Sequence, residues 1–227
     1  MIQFWLPFVI VGVLIDAAFI VCEYKKKAVA AVILKGLASL VFVLLGFLCY
    51  ARTGNRAFGL LIVLGLLFGA LGDVLLNLKN VLTAKAQIIF AAGIAVFLIG
   101  HVLYVAALIP LDVSALLIAV PVAAVLSAAI LTTILKRVEA PKKLVIFGSI
   151  YLVAVIAMFS CALALLIKEP ASAFRLTFTI GAFLFMVSDV ILVFALFVKS
   201  SPKCLRAINL SCYYVGQLLI ALSLLLV

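Results

Sequence analysis

Along the whole chain, apolar residues run in blocks of about twenty, broken by short polar punctuation that carries lysine, arginine, proline, asparagine or glycine. The blocks read at 2–22, 28–50, 57–78, 87–109, 112–134, 144–167, 176–198 and 207–227. Each is long enough to cross a ~30 Å hydrocarbon layer as an α-helix, because a helix rises 1.5 Å per residue. None alternates apolar and polar residues, and each is about twice the length of a barrel strand, so the pattern predicts an all-α polytopic membrane bundle of eight transmembrane helices. The connecting loops are short. Consecutive helices are therefore expected to be antiparallel neighbours, in one integral membrane domain over 1–227 with any chemistry inside the bundle.

Composition sharpens this picture. A chain that is 70% hydrophobic and 11% charged lacks the polar surface of a soluble domain. The first block has no basic n-region and no small-residue cleavage site, so it is expected to be a retained helix. Cys22, Cys49, Cys161, Cys204 and Cys212 show no metal-type spacing and are odd in number, which argues for packing roles. The net charge of +10 sits in loops and forms no long basic tail, so no nucleic-acid partner is expected. Its distribution is informative. Twelve basic residues follow blocks 1, 3, 5 and 7: Lys25, Lys26, Lys27, Lys79, Lys85, Lys136, Arg137, Lys142, Lys143, Lys199, Lys203 and Arg206. The opposite loops carry Arg52, Arg56, Lys168 and Arg175. The positive-inside rule then predicts both termini outside and the first set of loops in the cytoplasm, of the cell membrane if the owner is bacterial.

Polar residues inside the blocks are few and ordered. Gly65, Gly69, Asp73 and Asn77 recur at a four-residue step on one helical face, and the glycines would press that face against another helix. Asp73 therefore looks inward. A carboxylate there costs at least ~2.5 kcal/mol on insertion scales, which makes a functional role the working hypothesis. An offset of 116 residues pairs Asp73 with Asp189, Gly65 with Gly181, and Gly100-His101 with Gly216-Gln217. This predicts a tandem duplication of four helices, repeats 1–112 and 113–227, with parallel pseudo-two-fold symmetry about the membrane normal. Counting along the helices puts Asp16, Lys35, Asp73 and Asp189 between the cytoplasmic face and the midplane, with Tyr213 and Tyr214 nearby. His101 and Gln217 lie near the middle and Tyr104 further out. The expectation is one polar pocket in the cytoplasmic half of the bundle.

Several roles stay open on residues alone. Asp73 and Asp189 can be helix glue, bonded to Ser188, Asn77 or a tyrosine, or a functional pair. Lys35 can neutralise an aspartate, snorkel to the surface or meet a substrate phosphate. Asp16 can pair with Lys35 or a loop lysine, and His101 can be a core residue or part of the site. Two neighbouring carboxylates in low dielectric cannot both ionise easily, so one keeps its proton as a general acid while the other stays an anion. That division suits a proton donated first and a carbocation-like intermediate afterwards, as in cleavage of a peptide, glycosidic or vinyl-ether bond. A lone histidine does not make a hydrolytic zinc site, and no G-x-S-x-G elbow is present.

Four stretches, Gly65-Leu-Leu-Phe with Leu71-Gly72-Asp73-Val-Leu-Leu, Phe97-Leu-Ile-Gly-His101-Val-Leu-Tyr104, Gly181-Ala-Phe-Leu-Phe-Met-Val-Ser188-Asp189 and Tyr213-Tyr214-Val-Gly-Gln217, resemble the motifs of the YhhN-like lysoplasmalogenases in order and spacing. The resemblance covers blocks 2 to 8. One departure stands out: the family typically has Lys-Pro in its second span, and here it is Lys35-Gly36, so the helix kink is not implied. The resemblance implies hydrolysis of the vinyl-ether bond of a lysoplasmalogen, a lysophospholipid drawn from membrane lipid, to a fatty aldehyde and a glycerophospho-ethanolamine or -choline. It implies Asp73 and Asp189 as catalytic residues and Lys35 at the phosphate. Tyr213, Gln217 and His101 would orient water or glycerol oxygens, with Tyr104, Asn77 and Ser188 completing the substrate-binding set; no cofactor and no metal are required. Two other classes use paired aspartates. A proton-coupled transporter would share the parallel repeats. An intramembrane aspartyl protease would share Gly72-Asp73, but Ala70 stands where its first motif glycine belongs.

Overall fold

The computed structural model describes residues 4–198, 202 and 204–227; Lys199 and Lys203 of the basic loop set lie outside the described residues. These contain eight α-helices: α1 (Leu6–Tyr24), α2 (Ala28–Tyr50), α3 (Arg56–Leu78), α4 (Ala86–Leu108), α5 (Leu116–Leu135), α6 (Lys142–Lys168), α7 (Ala173–Phe197) and α8 (Cys204–Ser223). All eight are long and apolar enough to cross a membrane, so the chain is a multi-pass membrane protein with an all-helical bundle. α8 is the least apolar of them.

The ends follow local capping. Asn55 accepts the Phe58 amide at 3.1 Å and starts α3, and Ser172 accepts the Arg175 amide at 3.3 Å and starts α7. One departure from the apolar pattern with a clear local cause is at α5, expected from residue 112. Asp112 is instead extended and accepts both the amide and the hydroxyl of Ser114, which holds Val113–Ala115 in a 3-10 turn and delays the helix to Leu116. Lys168 pins that turn through an ion pair of 2.6 Å to Asp112 and a hydrogen bond to Ser114. α2 runs unbroken through Lys35-Gly36, in keeping with the missing proline.

The most extensive pairings are α3 with α4 and α7 with α8. Both are glycine crossings. A Cβ on Gly100 would sit 3.1 Å from the Gly65 carbonyl oxygen, and Cβ atoms on Gly181 and Gly216 would sit 2.9 and 2.8 Å from each other's carbonyl oxygens. Only glycine permits backbones that close. α2 then packs on α3, α6 on α7, and the cross-pairs α2–α8 and α4–α6 join the two halves. α1 covers α2 and α8, burying Phe19 completely, whereas α5 lies against α6 at the edge of the bundle with most of its surface outward.

Candidate active site

Asp73, Lys35, Asp189 and Tyr213 come from α3, α2, α7 and α8, and each lies five to nine residues from the helix end on the basic face. At 1.5 Å per residue that is one level, roughly 8–14 Å inside. They line a cavity of about 300 Å³ that also takes in Ser188 and Tyr151 and reaches the helix ends at Glu23, Lys79, Asn80 and Arg206. Its remaining walls are apolar apart from Asn209, chiefly from α4, α6 and α7 with Leu76 of α3 and Leu210 of α8.

Asp73 is the more heavily bonded carboxylate. Only 1% of it is exposed, and Lys35 Nζ stands 3.0 Å from Oδ1. The Ser39 and Tyr213 hydroxyls donate to Oδ2 at 2.5 and 2.7 Å. A chain of donors stands behind Tyr213: Tyr104 donates to Gln217 Oε1 at 3.1 Å, and Gln217 Nε2 donates to the Tyr213 hydroxyl at 3.3 Å. Every bond in this series points its hydrogen toward Asp73, an arrangement that favours the anion. Lys35 is held as well by the rings of Phe19, Tyr213 and Tyr214, 5.3–5.9 Å from its ammonium.

Asp189 is served differently. Tyr151 of α6 donates to its Oδ2 at 2.5 Å, and no cation lies within ion-pair distance of it among the described residues. Lys35 and Tyr151 are themselves 116 residues apart, the offset that separates Asp73 from Asp189. Ser188 is tied down by Asn209, whose amide donates to the Ser188 carbonyl at 2.8 Å and lies 3.0 Å from its hydroxyl. Asn209 accepts from Arg206, which forks onto Glu23 with bonds of 2.7 and 3.0 Å and so clamps α8 to α1 at the mouth. Lys79 lies across the mouth with its ammonium 4.0 Å above the Phe90 ring and no carboxylate in ion-pair range among the described residues. Burial, then the neighbouring Arg206 charge, brings the Lys79 ammonium down to about 8.

Of the roles open to Lys35, which lines the cavity and is 4% exposed, the ion pair with Asp73 is present. Not every other expected residue reaches the cavity. His101 stands behind the wall. Its Nδ1–H donates to the Phe97 carbonyl at 2.8 Å, its Nε2 meets no protein partner, and the rings of Phe185 and Tyr151 pack edge-on at 4.6 and 5.4 Å. Tyr104 and Gln217 act on Asp73 only through Tyr213, and Asn77 is buried on α3 without lining the cavity. Asp16 is buried with one carboxylate oxygen unpartnered. Ser39, Tyr151 and Asn209 were not singled out from the sequence. Tyr151 was within reach of the 116-residue offset applied to Lys35, and Ser39 lies one helical turn from Lys35.

The fold and cavity define a polytopic membrane protein with two carboxylates on one cavity inside the helical bundle, one of them ion-paired. The model of the YhhN family matches residues 30–224. The chain therefore belongs to the YhhN family, which is the lysoplasmalogenase family. No curated protein and no solved structure matches the chain.

Proposed function

We propose that this protein hydrolyses the vinyl-ether bond of lysoplasmalogens, releasing a fatty aldehyde and a glycerophospho-ethanolamine or -choline, with Asp189 as proton donor and Asp73 as fixed anion. The observation that carries the reading is the unequal company of the two carboxylates: Lys35 and two hydroxyls on Asp73, one phenol on Asp189. Charge balance then puts the proton of the pair on Asp189. Its carboxyl group gives that proton to the vinyl carbon remote from oxygen, forming a C–H bond and leaving an oxocarbenium ion. The Asp73 carboxylate stabilises this cation electrostatically. Water adds to the cationic carbon and surrenders a proton to Asp189, which restores the acid; the hemiacetal then breaks its C–O bond to the glycerol oxygen, which gains a proton as the hemiacetal hydroxyl loses one to form the aldehyde. Tyr151 and Tyr213 orient the two carboxylates.

The phosphate of the substrate sits at the mouth, where Lys79 and Arg206 present cations about 9 Å above Asp73 by helical rise. The mouth opens toward the cytoplasm if the basic loops obey the positive-inside rule. Aldehyde release from lysoplasmenyl-phosphoethanolamine by purified protein in detergent, beside folded Asp73→Asn and Asp189→Asn, tests this reading. Release by the wild type alone supports it. A folded wild type that releases none across head groups and pH sinks it and leaves the proton-coupled transporter, which substrate counterflow into liposomes would reveal.

A further inference from the structure

We propose that the hydrocarbon chain of the bound lipid leaves the cavity sideways into the bilayer, through a window between α4 and α6 framed by Phe90 and Ile94 on one side and Leu144 and Gly148 on the other. This rests on the lipid-hydrolase reading above. A cavity of about 300 Å³ is at the lower end for ligand pockets, which run to roughly 1,000 Å³, so a head group and glycerol fill it and a membrane-length chain must lie elsewhere. Below the carboxylates the way is blocked. Tyr213, Gln217 and Tyr104 are buried and bonded to one another there. Between α2 and α8 the way is covered by α1, through Phe19 and the Glu23–Arg206 fork.

Among the described residues no helix is packed over the corresponding space between α4 and α6 as α1 is over α2 and α8; α5 pairs chiefly with α6. The two helices meet at the level of the carboxylates, where the Tyr151 ring lies 6.3 Å from Phe97 and 5.4 Å from His101. Toward the mouth they part. Gly148, one turn from Tyr151, lines the cavity, and a Cβ built on it would find no atom within 4 Å. Toward the mouth, Phe90 of α4 meets Phe197 of α7 with ring centroids 6.4 Å apart, and the Lys79 ammonium rests on Phe90. The opening is thus bounded above and below by aromatic contacts and lined at its sides by apolar groups alone. Such a frame fits a single unbranched hydrocarbon chain and offers nothing to a head group, which the charged mouth takes.

Gly148→Ala, Gly148→Leu and Gly148→Trp fill the window in steps without meeting a neighbour at the Cβ. In nanodiscs, a lysophospholipid carrying a photoactivatable diazirine on its chain is expected to label residues 86–94 and 144–151 of the wild type, with labelling falling from Ala to Leu to Trp. Aldehyde release from a long-chain vinyl-ether substrate is expected to fall about 10–200-fold with Gly148→Trp, the range that shape commands in a hydrophobic pocket, while a short-chain, water-soluble substrate is spared. Labelling on α1 or α8, or labelling and long-chain turnover indifferent to Gly148→Trp and Gly148→Leu, overturns the window. If the wild type releases no aldehyde from either substrate, the hydrolase reading falls, and the labelling pattern alone decides the window.

Discussion

The two carboxylates of the cavity sit in matching places and keep different company. Asp73 on α3 faces Lys35 on α2; Asp189 on α7 faces Tyr151 on α6; and one offset of 116 residues carries the first pair onto the second. The same offset carries the Gly65–Gly100 crossing onto Gly181–Gly216, and the α2–α8 packing onto α6–α4. These correspondences support the proposal that 1–112 and 113–227 are two copies of one four-helix unit. What the difference teaches is how symmetry can be turned to chemistry. A single exchange, lysine in one half against tyrosine in the other, gives two identical side chains different partners, an ammonium for Asp73 and a phenol for Asp189.

The strongest way to break that comparison is to neutralise each carboxylate in turn. Asp189→Asn removes the proposed donor and is expected to lower aldehyde release about 10²–10⁴-fold, the usual worth of general acid catalysis. Asp73→Asn is expected to lose as much through the missing countercharge. Near-wild-type turnover by either folded variant would end the paired-acid mechanism. Next comes stability. Lys35→Met leaves Asp73 buried with no cation and is expected to destabilise the protein by about 3–5 kcal/mol, while Lys35→Met combined with Asp73→Asn recovers most of it and remains inactive. Thermal unfolding in detergent measures both; a double variant no more stable than the single one would show that Lys35 serves packing and not charge.

Tyr151→Phe probes the quieter half. It removes one neutral hydrogen bond, so about 1 kcal/mol of stability and a smaller loss of turnover than at either aspartate are expected. If it cost as much stability as Lys35→Met, the contrast between the halves would disappear. The smallest effect is at the mouth. Because Lys79 is brought down to about 8, it is charged below that pH and loses its charge as the pH rises through it. KM for the phospholipid should therefore climb above pH 8 with kcat little changed, and Lys79→Arg should flatten the climb. A KM profile that is flat in the wild type would remove Lys79 from the head-group contact.

Much of the architecture was legible from hydropathy, because a bilayer demands long apolar helices and the eight blocks supplied them at nearly their final lengths. One misreading, the start of α5, arose where a side chain outweighed hydropathy: Ser114 bonds to Asp112 and turns the chain before the helix begins. The carboxylates were legible for the same reason, since a charge in a span stands out by its cost. Their partners were harder to see. Tyr151 and Ser39 are ordinary residues of membrane helices, and only the packing of α6 on α7 and α2 on α3 turns them toward an aspartate. His101 is the opposite case: a rare residue draws the eye, yet it packs on Phe185 and Tyr151 and does not itself line the cavity.

The low apolarity of α8 bears on how the protein is made. A segment carrying Arg206, Asn209 and Gln217 partitions poorly into lipid alone, since polar groups without partners there are costly. Its crossing with α7 at Gly181 and Gly216 offers a remedy during synthesis: α7 enters first, and α8 follows as the second arm of a hairpin already sheltered by it. Widening either glycine would then be felt first as failed insertion of the last helix at the translocon, before any substrate is met.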